Sequence, residues 1–206
     1  MAKTHAAKPG KAADLQPWGP VGEYMTDAMQ RTVLFWDVMR QRSEQYYSER
    51  AKEVPHVLRF DAELVLDGRT FEKPVNYLLA RINPPAGMTV DPRKRPFVVV
   101  DPRAGHGPGI GGFKADSELG VAMGAGHPAY LIGFTPEPMP GQTIEDIMHT
   151  EAVFLEKVIA LHPRAEGKPC VIGNCQGGWA VLLVAGIRPE LFGPCLLYTS
   201  PSPRDS

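Results

Sequence analysis

Cysteine is scarce in this chain. Cys170, Cys175 and Cys195 are the only three in 206 residues, too few and too clustered for a disulfide scaffold, so a reducing, cytoplasmic setting is expected. An excess of one charge is also lacking. Lys and Arg number 22 against 23 Asp and Glu, which argues against a protein held by nucleic-acid phosphates. No apolar run approaches the ~20 residues needed to span a bilayer; Trp179 to Ile187, the longest candidate, is interrupted by Gly186. Met1 to Pro20 lacks the apolar segment of a secretory signal. Gly and Pro, 21 each, stay below the roughly 25–30% that marks low complexity. With 43% hydrophobic residues, the chain has material for one globular domain plus an extension.

What is present has an order. Residues 1–21 have little to bury and read as a disordered lead-in. Residues 22–55 carry apolar positions at helical spacing, among them Met25, Met29, Phe35, Trp36 and Met39, ended by Pro55. This amphipathic helix is expected to cover the chain's own sheet, with docking on a partner or lipid surface as the alternative. Two alternating runs follow, Leu58 to Leu66 and Phe71 to Ile82, and Asp67-Gly68 between them predicts a hairpin. Phe97 to Val100, Ala129 to Ile132 and Cys170 to Ile172 are short and continuously apolar, as strands buried on both faces are. Helices are expected between them, from Asp116 to Gly124 and from Thr143 to His162. Strand, helix, strand, helix, strand predicts a parallel α/β sheet with right-handed crossovers over residues 56–194.

The stretch from Val171 to Ala180 carries the chemistry. It reads strand, Gly173-Asn174-Cys175-Gln176-Gly177, helix. In a nucleophile elbow the central residue sits on a strained turn with its reactive atom lifted off the sheet, and flanking glycines avoid collisions. The helix N-terminus favours negative charge at Cys175. The Gln176 backbone N–H is placed to donate to an oxyanion. The plainer alternative makes Cys175 a small buried residue in a tight turn; Cys170, at the start of its strand, reads as packing.

A second loop opens at the end of the first buried strand, Asp101-Pro-Arg-Ala-Gly-His-Gly-Pro-Gly-Ile-Gly-Gly-Phe113. Such a loop supplies the other oxyanion donor, expected here at Ala104 and Gly105 within Arg103–His106. His106 is a candidate substrate contact, or a solvent-facing loop residue. Gly107, Gly109 and Gly112 also match a dinucleotide fingerprint, with Glu137 as the ribose acid. That reading fails on spacing, because six residues separate Val100 from Gly107.

The segments Leu34–Arg42, Asn76–Ile82, Pro96–Phe113 and Gly173–Gly177 together resemble a bacterial family related to polyhydroxyalkanoate synthases and often labelled 3-hydroxyalkanoate synthetase. The resemblance implies an α/β-hydrolase-like fold and an acyltransferase with Cys175 as its nucleophile. It also implies a small-molecule acyl ester or thioester substrate, with coenzyme A as acyl carrier and no separate cofactor or metal. An esterase or thioesterase uses the same elbow, and a non-catalytic scaffold or granule-associated protein is the third reading. A homo-oligomer stays open. From Cys195 to Ser206 the chain changes character and resembles a translated sequencing adaptor, so 195–206 is set aside as a non-native tail. All six histidines precede Cys175, whereas this fold orders its triad nucleophile, acid, histidine. The acid and histidine are therefore expected beyond Pro194, the chain as written is expected to be an inactive fragment, and the Val171-Ile172 strand is expected to show an open edge.

Overall fold

The computed structural model describes residues 19–50, 56–104 and 109–198. The chain divides into two units, Met1–Glu53 and Val54–Ser206.

The first unit contributes one helix, α1 (Gly19–Arg50). It starts three residues inside the segment read as disordered lead-in; the remainder of that lead-in lies outside the described residues. Its surface carries one-turn ion pairs, Asp27 with Arg31 and Arg40 with Asp37 and Glu44, of the kind that adds only a few tenths of a kcal/mol each (~0.3–0.5). Phe35, Trp36 and Met39 all lie on this helix.

The second unit is a six-stranded sheet. Its strands in chain order are β1 (Ala62–Asp67), β2 (Tyr77–Ile82), β3 (Phe97–Val100), β4 (Ala129–Phe134), β5 (Cys170–Asn174) and β6 (Cys195–Tyr198). Across the sheet the order is β1-β2-β4-β3-β5-β6. β1 and β2 pair antiparallel, as do β2 and β4, while β4, β3, β5 and β6 run parallel. Among the described residues three α-helices complete the unit: α2 (Glu118–Gly124), α3 (Ile144–Leu161) and α4 (Gln176–Ile187).

The apolar runs form strands because both their faces are buried. Alternate side chains point to opposite sides of the pleat, so Val98, Val100, Tyr130, Ile132 and Val171 join one core with Phe154, Leu155 and Val158 of α3 and Val181 and Val184 of α4. Val99, Leu131 and Ile172 join the other core, with Leu119 and Met123 of α2. Helix α3 begins with a full capping box: Thr143 Oγ1 accepts from the Asp146 N–H at 3.1 Å, and Asp146 Oδ2 accepts from the Thr143 N–H at 3.0 Å.

The predicted hairpin forms, β1 pairing antiparallel with β2, through a connection longer than Asp67-Gly68 alone. Asp67 folds its carboxylate back onto the Arg69 N–H at 3.0 Å and onto its guanidinium, Gly68–Thr70 forms a 3-10 turn, and residues 68–76 separate the strands. The Asp67 side chain thus caps a turn inside the connection. The residues Cys195–Tyr198, set aside above, form β6 and pair in register with Val171 to Asn174. The edge of β5 is therefore covered, and the outermost strand is β6.

Candidate functional site

At the carboxyl end of β5 the chain turns through one residue into α4. That residue is Cys175, with φ 51° and ψ −120°. Among the described residues only Cys175 and Arg103 combine positive φ with a side chain. Such a conformation costs on the order of 1–3 kcal/mol and persists only where its surroundings enforce it. Here they do. The Cys175 N–H donates to the Tyr198 carbonyl at 3.0 Å, and its own carbonyl accepts from the Gly178 N–H at 3.0 Å.

The flanking glycines are sterically required. A β-carbon on Gly173 would stand 2.7 Å from the Gly177 carbonyl oxygen, and one on Gly177 would stand 2.6 Å from the Val100 carbonyl oxygen. Cys175 is half-buried, so it is not sealed in the core. Gln176 opens α4, and the first N–H groups of a helix have no intrahelical acceptor. The Gln176 N–H, beside the sulfur in sequence, is thus free of helical duty.

The loop after β3 faces this elbow, since the Asp101 carbonyl lies 3.2 Å from where a Gly177 β-carbon would stand. Its organiser is a residue for which the sequence reading offered no role. Asp101 is 2% exposed. Its Oδ1 accepts from the Arg103 N–H at 2.8 Å, and its Oδ2 accepts from Gly109 at 2.6 Å and Ile110 at 3.2 Å. Burial pushes its carboxyl above the ordinary range, while these backbone donors pull the other way. An aspartate closing a buried strand just before a glycine-rich loop was the available signal. Ala104 is exposed on this loop. Gly105 and His106 lie outside the described residues. The dinucleotide alternative finds no α-helix at Gly109 or Gly112: Ile110–Gly112 is a single 3-10 turn, and α2 opens only at Glu118.

The described histidines do not converge on the elbow. His127 bonds through Nδ1 to the Arg95 carbonyl at 2.8 Å, and His162 bonds through Nε2 to the Tyr130 hydroxyl at 2.8 Å. Both therefore sit at the amino end of the parallel strands, opposite Cys175. His56 and His149 are exposed. A concavity of about 510 Å³ lies between Phe71–Lys73 and Asp146, His149 and Val153, with no elbow residue in its wall. Among the described residues no group of His, Cys, Asp and Glu is arranged to hold a metal, and no helix is long and apolar enough to cross a membrane.

The mixed sheet, its parallel crossovers and the strained Cys175 between two obligatory glycines make this unit α/β-hydrolase-like. Solved structures with a similar course include an acetyl xylan esterase from Aspergillus awamori, 18% identical with a TM-score of 0.49 over 66% of this chain and 50% of that one. Another is an α/β serine hydrolase without lid from Xanthomonas campestris, 15% identical with a TM-score of 0.44 over 71% of this chain and 63% of that one. A protein of Rhizobium meliloti, described as an uncharacterized protein in the ackA 5' region, is 66% identical over 178 residues. That alignment takes in 86% of this chain and 24% of the relative, so the chain spans about a quarter of that relative's length. The model of a family described as a protein of unknown function, DUF3141, matches residues 27–203, and the chain belongs to that family.

Proposed function

We propose that this unit performs acyl transfer with Cys175 as the nucleophile. The observation that carries the reading is the backbone of Cys175, held at φ 51° between a strand and a helix and hemmed by Gly173 and Gly177. A merely packed cysteine needs no such strain. In the proposed step the Cys175 thiolate attacks the carbonyl carbon of an ester or thioester, and the carbonyl π pair moves onto oxygen. The Gln176 N–H donates to that oxyanion, with the loop after β3 opposite. Collapse breaks the bond to the leaving alkoxide or thiolate, which takes up a proton, and leaves an acyl-Cys175 thioester. A hydroxyl or water then attacks this thioester and restores the thiol.

With a hydroxyl acceptor the outcome is an acyltransferase, and with water it is an esterase or thioesterase. The resemblance to 3-hydroxyalkanoate synthases favours the hydroxyl, with a 3-hydroxyacyl coenzyme A thioester as donor. In this reading proton shuttling is assigned to none of the described histidines, which lie away from the elbow.

The test uses an aryl ester and an acyl coenzyme A thioester as donors and mass spectrometry of the peptide that holds Cys175. A single stoichiometric acyl adduct on that peptide, without turnover, is expected, and none in Cys175→Ala. Equal acylation of wild type and Cys175→Ala, or no adduct on the Cys175 peptide, overturns the reading.

A further inference from the structure

The other residue with positive φ, Arg103 at 55°, has no part in the acyl-transfer step above. Its backbone is fixed by the Asp101 carboxylate. Its guanidinium lies 4.8 Å over the Phe134 ring and 5.5 Å over the Tyr77 ring, and Nη1 donates to the Tyr77 hydroxyl at 3.3 Å. Both rings are buried. Phe134 ends β4 and Tyr77 opens the antiparallel β2, where they pair, so this stack stands at the carboxyl edge of the sheet, the edge that carries Cys175. The charge is held in place yet not neutralised by contact. Among the described residues no carboxylate forms an ion pair with this guanidinium. Asp101, spent on three backbone donors, attracts it through space. A planar fork has five donors, and among the described residues one is used.

We infer that Arg103 is an anion-binding residue for the acyl donor, taking a carboxylate or phosphate group of the substrate while the reacting carbonyl sits at Cys175. The inference rests on the acyl-transfer reading and gives it a substrate class. β3 lies between β5 and β4, so two strand spacings, ~10 Å, separate the elbow from the Arg103 stack. The donor is therefore an acyl ester or thioester with a negative group about half a dozen bonds from its carbonyl. Guanidinium suits this task because its flat face rests on the rings while its edge presents parallel N–H groups to two oxygens.

The experiment compares two thiol reagents on the full chain, neutral N-ethylmaleimide and anionic maleimidohexanoate, and reads the modified Cys175 peptide by mass. The ratio of anionic to neutral rate is expected to exceed that of glutathione in wild type. It should drop about fivefold or more in Arg103→Gln, as loss of a charged hydrogen bond implies, with partial recovery in Arg103→Lys. Glutarate and inorganic phosphate as competitors distinguish a carboxylate from a phosphate, the better one suppressing only the anionic reagent. A ratio equal to that of glutathione, or one unchanged by Arg103→Gln, overturns the inference. Failure of the underlying reading looks different: Cys175 would then react with N-ethylmaleimide no faster than in the urea-unfolded chain.

Discussion

The Gly177 α-carbon packs against the Val100 carbonyl so closely that a β-carbon there would stand 2.6 Å from the oxygen. The contact joins the first turn of α4 to the end of β3, bringing the elbow and the glycine-rich loop together. Neither backbone can give way, because Val100 is pinned on both sides, to Ile132 of β4 and to Gly173 of β5. Gly177→Ala should therefore destabilise the domain by roughly 2 kcal/mol or more, in line with overpacking. Gly186, in the same helix, has nothing within 4 Å of its would-be β-carbon. Gly186→Ala should stabilise by about 0.5–1 kcal/mol through helix propensity. Urea midpoints moving the same way for both variants would contradict this account.

Cys175 invites a different comparison. Its positive φ sets the sulfur's position at a cost that only a β-carbon incurs, about 1–2 kcal/mol. Cys175→Gly should then be more stable than Cys175→Ala by about 1 kcal/mol, even though glycine loosens the unfolded chain. Both lose the acyl adduct. If alanine is the more stable of the two in thermal melts, the turn is not strained.

The parts legible in the sequence were those with a local physical cause. β3, β4 and β5 were visible as apolar runs, α3 through Thr143 and its following acid, and the elbow through Gly173 and Gly177. What stayed hidden depended on local bonding or distance. The Asp67 carboxylate bonds to Arg69 inside the connection of the hairpin, and spacing alone does not set that connection's length. The Arg103 stack joins residues 26 and 31 positions apart, Tyr77 and Phe134, which no periodicity connects. β6 was missed because the composition of its segment suggested a foreign origin, whereas pairing with β5 needs only extended backbone and an available edge.

Asp101 holds the loop beside the elbow by accepting three backbone N–H groups. Asp101→Ala leaves those donors without their acceptor, in a site that is nearly sealed. A loss of about 2–3 kcal/mol is expected, the cost of stranding buried donors. Asp101→Asn should lose less, since one carbonyl oxygen remains and the amide cannot serve all three. Amide exchange at Gly109 and Ile110 reports directly on the contact. Protection there unchanged in Asp101→Ala would mean that the loop is held by something else.

Two buried groups give stability opposite pH slopes. His162 bonds to Tyr130 and to the Pro92 carbonyl, and burial holds its pKa below the ordinary 6.5. As pH falls below about 6.5 the unfolded chain takes up a proton that the folded one refuses, so stability present at neutral pH is lost. His162→Gln should flatten that acid limb. Glu151 is the reverse case. It is fully buried, its Oε1 has no partner among the described residues, and desolvation raises its pKa from 4.5 to about 8. Between those values the unfolded carboxyl is ionised and the folded one is not. Its contribution is thus complete below 4.5 and is eroded as pH rises to about 8, where the folded carboxyl also ionises. Glu151→Met removes both the proton and the orphaned oxygen. The variant's advantage over wild type in urea titrations should widen from pH 5 to pH 8, and a gap independent of pH would show that Glu151 is already ionised in the fold.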